Sequence, residues 1–205
     1  MKTKSLIILL FAILCLVQSL YAGTKILFLG DSLTAGYGIE KPQAFPTLID
    51  EKLKREGYHN IKVINGGISG STSASAISRL KWYLKIKPDL MILALGANDG
   101  LRGLSVDQLK NNLTACIQLA KRNDIKVVLA GMMMPPNYGE EYTKSFFEVY
   151  GKVAEAQNVQ LIPFLLKDVA GIPSLNIPDG IHPNEAGHKI VAQTILPYIL
   201  KFLWF

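Results

Sequence analysis

The sequence predicts an α/β fold built on an open parallel sheet, and three observations carry that prediction. Short, almost wholly apolar runs recur at 26–29, 61–64, 90–95, 126–130 and 159–162, each too short for a helix and suited to a strand buried on both faces. Between them lie stretches of helical length with apolar residues at spacings of three and four, and this alternation is the signature of strands joined by crossover helices. The first three runs each end in a polar loop containing glycine, as a sheet with one functional edge requires, because ligand crevices form past the strand carboxyl ends.

The first run stops at Gly30, and the chain then turns abruptly to present Ser32 behind Asp31. Asp or Ser in this position is equally compatible with a simple helix cap. Residues 44–57 form an amphipathic helix through Phe45, Leu48, Ile49 and Leu53, with Gly57 as its stop. The second strand, 61–64, leads into the glycine-rich loop 65–70, whose backbone N–H groups can approach a ligand or merely form a turn. A helix over 71–87 carries Ala74, Ile77, Leu80, Trp82 and Leu84 and stops before Pro88. The third strand, the most hydrophobic after residue 22, ends in Gly96-Ala97-Asn98-Asp99-Gly100, a composition that locally favours a left-handed turn.

Residues 106–122 read as a helix that buries Cys116 among Leu113, Ile117 and Ala120. After the fourth strand, loop 132–139 holds three methionines, suited either to core filling or to adaptable apolar contact. A helix over 140–157 and the fifth strand precede an irregular segment, 163–178, with a short helical piece at 165–169. Asp179-Gly180-Ile181-His182-Pro183-Asn184 then opens the final helix, 185–203. A three-residue step lets the Asp179 carboxylate reach the His182 imidazole, although Asp179 also suits a helix cap. His59 and His188 have no such neighbour.

At 205 residues, 49% hydrophobic and 19% charged, the chain fits one domain with a sizeable core. Its formal charge of +6 is scattered, partly at helix ends, with no aromatic-basic platform, so nucleic acid is not an expected partner. Residues 1–22 show a different pattern: Lys2 and Lys4, then an apolar core of about 13 residues, then a more polar tail. This is the layout of a cleaved secretory signal, too short to span a bilayer, and it predicts a domain over 23–205 that is periplasmic or secreted. Cys116 is then the only cysteine, which excludes an internal disulfide and cysteine-based zinc sites, and no metal-binding motif occurs.

Four of these features fall at predicted strand ends, and together they supply what acyl transfer needs. A serine hydroxyl becomes a nucleophile when an oriented base takes its proton, which Ser32, His182 and Asp179 provide. An oxyanion needs hydrogen-bond donors, available from the backbone N–H groups of Ser32 and Gly70 and the amide of Asn98. Here the chain resembles the GDSL, or SGNH, hydrolase family. Gly30-Asp31-Ser32-Leu33, Gly70, Gly96-x-Asn98-Asp99 and Asp179-x-x-His182 match its four blocks in order. The stretches GDSLTAGYG, NDGLRG, PPNYG and DGIHPN resemble its exported bacterial branch of thioesterases, lysophospholipases and arylesterases. Ser71 departs from the pattern, which has an acidic residue after the glycine.

The resemblance implies a flavodoxin-like three-layer sandwich with a five-stranded parallel sheet, and neither metal nor cofactor. It implies hydrolysis of small ester and thioester substrates, transient contact with membrane lipid, and an acyl groove lined by Met134, Pro135, Pro136, Asn137 and Tyr138. A carbohydrate O-acetyl esterase shares the blocks but needs a polar cleft. A non-catalytic flavodoxin-like binding module needs no pairing of Ser32 with His182.

Overall fold

A computed structural model describes residues 23–204; the secretory signal expected at 1–22 lies outside the described residues. Five strands form: β1 (Thr24–Gly30), β2 (Ile61–Gly67), β3 (Leu90–Ala94), β4 (Lys126–Ala130) and β5 (Gln160–Ile162). Ile26 through Leu29 and Met91 through Leu93 are fully buried, as expected of strands covered on both faces. All neighbouring pairs are parallel, in the order β2-β1-β3-β4-β5. Strand order therefore reverses at β1, whose last residue, Gly30, lies beside Gly67 of β2 and Ala94 of β3.

Among the described residues, seven α-helices connect and cover the sheet: α1 (Ser32–Ala35), α2 (Phe45–Arg55), α3 (Ala76–Tyr83), α4 (Ala97–Leu101), α5 (Val106–Lys121), α6 (Glu140–Ala156) and α7 (Glu185–Leu203). Right-handed crossovers require the connection from β1 back to β2 to use one face and the connections running toward β5 to use the other. The packing agrees: α2 pairs with α7, while α3 packs on α5 and α5 on α6. The result is the flavodoxin-like three-layer sandwich. Its core includes an edge-to-face contact between Phe28 and Phe45, with ring centroids 5.7 Å apart, and the buried Cys116, whose thiol burial pushes up to about 12.

Several boundaries differ from the sequence-based expectation. β2 continues to Gly67 because its pairing with β1 continues to Gly30, so half of the expected glycine loop is strand. The helix expected over 71–87 is α3 flanked by two 3₁₀ turns, Ser73–Ser75 and Leu84–Ile86, and Lys87 at φ +50° ends it. Ser73 is held by Asp99 before the helix can begin. Trp82, placed on the apolar face by its spacing, is 63% exposed; the buried side of α3 is Ala76 and Leu80. Residues 165–169 form successive turns rather than a helix, with Asp168 at φ +61° interrupting any helical run.

Candidate active site

The turn that carries Ser32 is built by close approach. A Cβ at Gly30 would collide with the Thr34 side chain and sit 3.0 Å from the Ala94 carbonyl oxygen, so only glycine lets the chain turn here. Asp31 is buried and caps α1, its Oδ1 accepting the Leu33 N–H at 3.0 Å. Burial pushes its pKa up to about 6, against the opposing backbone hydrogen bond from Leu33. The cap reading therefore holds for Asp31, and it leaves Ser32 as the first helical residue, facing a cleft.

Ser32 Oγ lies 2.9 Å from His182 Nε2, and His182 Nδ1 lies 2.6 Å from Asp179 Oδ2. The other Asp179 oxygen, Oδ1, accepts the backbone N–H groups of Ile181 and His182, each at 3.0 Å. Burial raises the Asp179 pKa, but these bonds and the imidazole outweigh it, so the carboxyl lies below its ordinary range. The cap of α7 is not Asp179 but Asn184, which accepts from Ala186 and Gly187. Tyr37 covers His182, with ring centroids 4.7 Å apart.

Two further segments converge on Ser32. Gly70, at φ +77°, and Asn98, on α4, both line the same cleft. Asn98 is helical rather than left-handed; the left-handed turn expected from composition is absent, and Gly96 alone takes the positive φ, +120°. A Cβ there would strike the Tyr150 hydroxyl, which donates to the Leu95 carbonyl oxygen. Asn98 Nδ2 donates to the Ser71 carbonyl oxygen at 3.1 Å. That contact uses the backbone of Ser71, so the departure at its side chain leaves it intact. Among the described residues, neither the Ser32 nor the Gly70 N–H donates to a protein acceptor.

The cleft encloses about 570 Å³ and is walled largely by Leu33, Leu101, Met132, Met133, Phe164 and Leu166. Met134, Pro135 and Pro136 also line it. Asn137 and Tyr138 do not. The 3₁₀ turn Pro136–Tyr138 carries them away, and the Tyr138 hydroxyl donates to the Leu101 carbonyl oxygen at 3.1 Å. Tyr138 instead borders a second depression of about 740 Å³ between the starts of α5 and α6. Of the remaining histidines, His59 is exposed and His188 is buried, accepting the Phe45 N–H at Nδ1.

Sequence reasoning missed four residues around the site. Tyr37 and Arg79 act across elements distant in sequence; Arg79 Nη2 donates to the carbonyl oxygens of Gly30 and Gly66 and so ties the ends of β1 and β2. Asp99 and Ser73, both buried, bond to each other. Asp99 and Tyr37 fall within the family-like stretches Gly96-x-Asn98-Asp99 and GDSLTAGYG, but no local pattern gave either a partner.

A serine hydroxyl in line with an imidazole and a carboxylate, at the switch point of a parallel sheet, is the arrangement of a serine hydrolase. Residues 28–190 match the model of the GDSL-like Lipase/Acylhydrolase family, and the chain belongs to that family: it is an SGNH-type hydrolase. It is 39% identical to an arylesterase of Vibrio mimicus over 92% of this chain and 94% of that protein. It is 35% identical to thioesterase 1/protease 1/lysophospholipase L1 of Escherichia coli K12, over 90% of this chain and 86% of that protein. The crystal structure of the psychrotrophic esterase EstA from Pseudoalteromonas sp., inhibited by monoethylphosphonate, superimposes with a TM-score of 0.84 at 34% identity, covering 89% of this chain and all of that one.

Proposed function

We propose that the protein is an exported serine esterase that hydrolyses aryl esters, acyl thioesters and lysophospholipids through an acyl-serine intermediate. The observation that carries this reading is the line from Asp179 through His182 to Ser32, which ends at an apolar cleft. His182 Nε2 takes the Ser32 proton as Oγ attacks the acyl carbonyl, while Asp179 holds the other ring nitrogen and favours the imidazolium that forms. The carbonyl oxygen becomes an oxyanion that accepts from the N–H groups of Ser32 and Gly70 and from the Asn98 amide. Collapse of the intermediate expels the alcohol or thiol with a proton from His182. Water, deprotonated by the same nitrogen, then attacks the acyl-serine; the carboxylic acid leaves and Ser32 recovers its proton.

The substrate class follows from the walls. Leu101, Met133, Met134, Pro135, Pro136 and Phe164 suit a hydrocarbon chain and offer little to a sugar. Arylester, thioester and lysophospholipid substrates are also those named for the two sequence relatives. Tyr37, Met133 and Ile181 are each about half exposed at the cleft mouth, which suits transient contact with the lipid surface that presents such amphiphiles.

The test is a rate series over nitrophenyl esters from acetyl to palmitoyl, with an acyl-CoA and a lysophospholipid alongside. Rates that rise beyond short chains support the reading, and activity confined to acetyl esters makes the protein a deacetylase. A fluorophosphonate that fails to label Ser32 overturns the acyl-serine mechanism. Export is checked by N-terminal sequencing of the periplasmic fraction, where a new terminus near Gly23 is expected.

A further inference from the structure

We infer that Asp99, through Ser73, is a positioning residue that sets the spacing between two oxyanion donors, the Gly70 N–H and the Asn98 amide. The inference rests on the oxyanion role proposed above for those two groups. Gly70 follows β2 and Asn98 follows β3, yet these strands are not neighbours: β1 lies between them. Their ends are therefore about 10 Å apart, two strand spacings, and no ladder bond can hold the loops in register.

Side chains hold them instead. Asp99 Oδ2 accepts the Ser73 backbone N–H at 2.8 Å, and Oδ1 accepts the Ser73 hydroxyl at 2.5 Å. The direction of the second bond is fixed from outside, because Asn112 Nδ2 on α5 donates to Ser73 Oγ at 2.9 Å, leaving the hydroxyl proton for Asp99. Asp99 and Ser73 are only 3% and 1% exposed, so water competes little for these bonds. Two weaker ties run the same way: Asn98 Nδ2 to the Ser71 carbonyl oxygen, and Arg102 Nη2 to the Gly70 carbonyl oxygen at 3.0 Å. Asp99 adjoins Asn98 in sequence, and Ser73 lies three residues from Gly70. The carboxylate thus fastens one donor segment to the other across the end of β1. Neither Asp99 nor Ser73 lines the cleft, so their effect on substrate passes through the donors alone.

Asp99→Asn keeps the volume but puts an NH₂ donor where one carboxylate oxygen accepted. We expect kcat to fall about 10- to 100-fold, the loss that follows a misplacement of about 1 Å, with KM within about twofold of wild type. The decisive readout is a double-mutant cycle with Asn98→Ala. Once the Asn98 donor is gone, Asp99→Asn should lower kcat far less than it does alone, whereas a general loss of structure would act equally in both backgrounds. Equal losses in both backgrounds, or unchanged kcat in folded Asp99→Asn, overturn the inference. If Asp99→Asn does not fold, Ser73→Ala, which keeps the backbone bond and removes the hydroxyl link, is read by the same cycle and the same outcomes. Wild-type kcat in Asn98→Ala overturns the oxyanion role itself, while a large loss there beside an indifferent Asp99→Asn overturns only the positioning.

Discussion

His182 and His188 are six residues apart and belong to opposite kinds of environment. His182 sits on the turn before α7, its side chain 16% exposed, with a carboxylate on one ring nitrogen and a serine hydroxyl on the other. His188 lies inside α7, 1% exposed, stacked on Phe45 at 5.7 Å and accepting one backbone N–H. Burial, with the charge of His182 adding to it, pushes the His188 pKa down to about 4. A histidine that must gain a proton during a reaction needs a partner for the resulting charge; one that fills a core must stay neutral. The comparison therefore separates the ring on which the proposed mechanism relies from a ring that fills the core.

The largest test of that division is substitution by alanine. His182→Ala should lower kcat by about 10⁴-fold or more, as should Ser32→Ala, with melting temperatures near wild type. His188→Ala should retain most activity but lose about 2 to 4 kcal/mol of stability, from a cavity and an unpaired Phe45 N–H. Ester hydrolysis and thermal denaturation on the same preparations decide it, and equal loss of kcat at both positions breaks the division.

A smaller effect is expected at Asn98. Because its backbone is helical, alanine fits without strain, and Asn98→Ala isolates the amide. Loss of one oxyanion donor should reduce kcat by about 10²- to 10³-fold with KM changed far less. An unaltered kcat would reduce Asn98 to a structural tie with Ser71.

The pH dependence of stability sharpens the contrast further. His188 has a folded pKa of about 4 against an ordinary 6.5, so its contribution is full above pH 6.5 and is lost as pH falls toward 4. Asp31 works the other way. Its folded pKa of about 6 lies above the ordinary 3.8, so its contribution is full below pH 3.8 and is lost as pH rises through 6. Each amounts to about 3 kcal/mol, and over pH 4 to 6.5 the two oppose each other. Asp31→Asn, which can still cap α1, should remove the compensation and make stability fall more steeply on acidification than in wild type. Urea denaturation of both proteins across that range checks the slope; parallel curves refute the pairing.

The smallest effect concerns the cleft wall. Met134 packs against Gly100 so closely that a Cβ there would collide with its thioether. Met134→Ala should open the groove beside Asn98 and change the ratio of long- to short-chain ester rates severalfold, about 1 kcal/mol, with little loss of stability. A constant ratio across the chain series would make Met134 a structural residue only.

Much of this protein was legible in its sequence because the signals are local. Apolar runs of four to six residues, separated by helical periodicity, determine strands, helices and the edge at which the strands end, since burial on two faces and amphipathic packing impose those patterns directly. The block from Gly30 to Ser32 and the step from Asp179 to His182 are likewise short-range, and a three-residue turn already allows the 2.6 Å contact. What only the tertiary structure decided depends on partners far apart in the chain. The 150-residue separation between Ser32 and His182 closes because β1 and the turn before α7 meet at one edge. Asn98 looked like a left-handed turn residue because composition reports propensity; packing of Gly96 against Tyr150 takes up the positive φ and leaves Asn98 helical. Asn137 and Tyr138 lie outside the cleft, where the Tyr138 hydroxyl is held by a carbonyl on Leu101, 37 residues away. Asp99 was read as part of a turn and of a family-like block, with no partner of its own, because the bond that occupies it comes from Ser73, 26 residues earlier, and no local pattern encodes an acceptor for a distant donor.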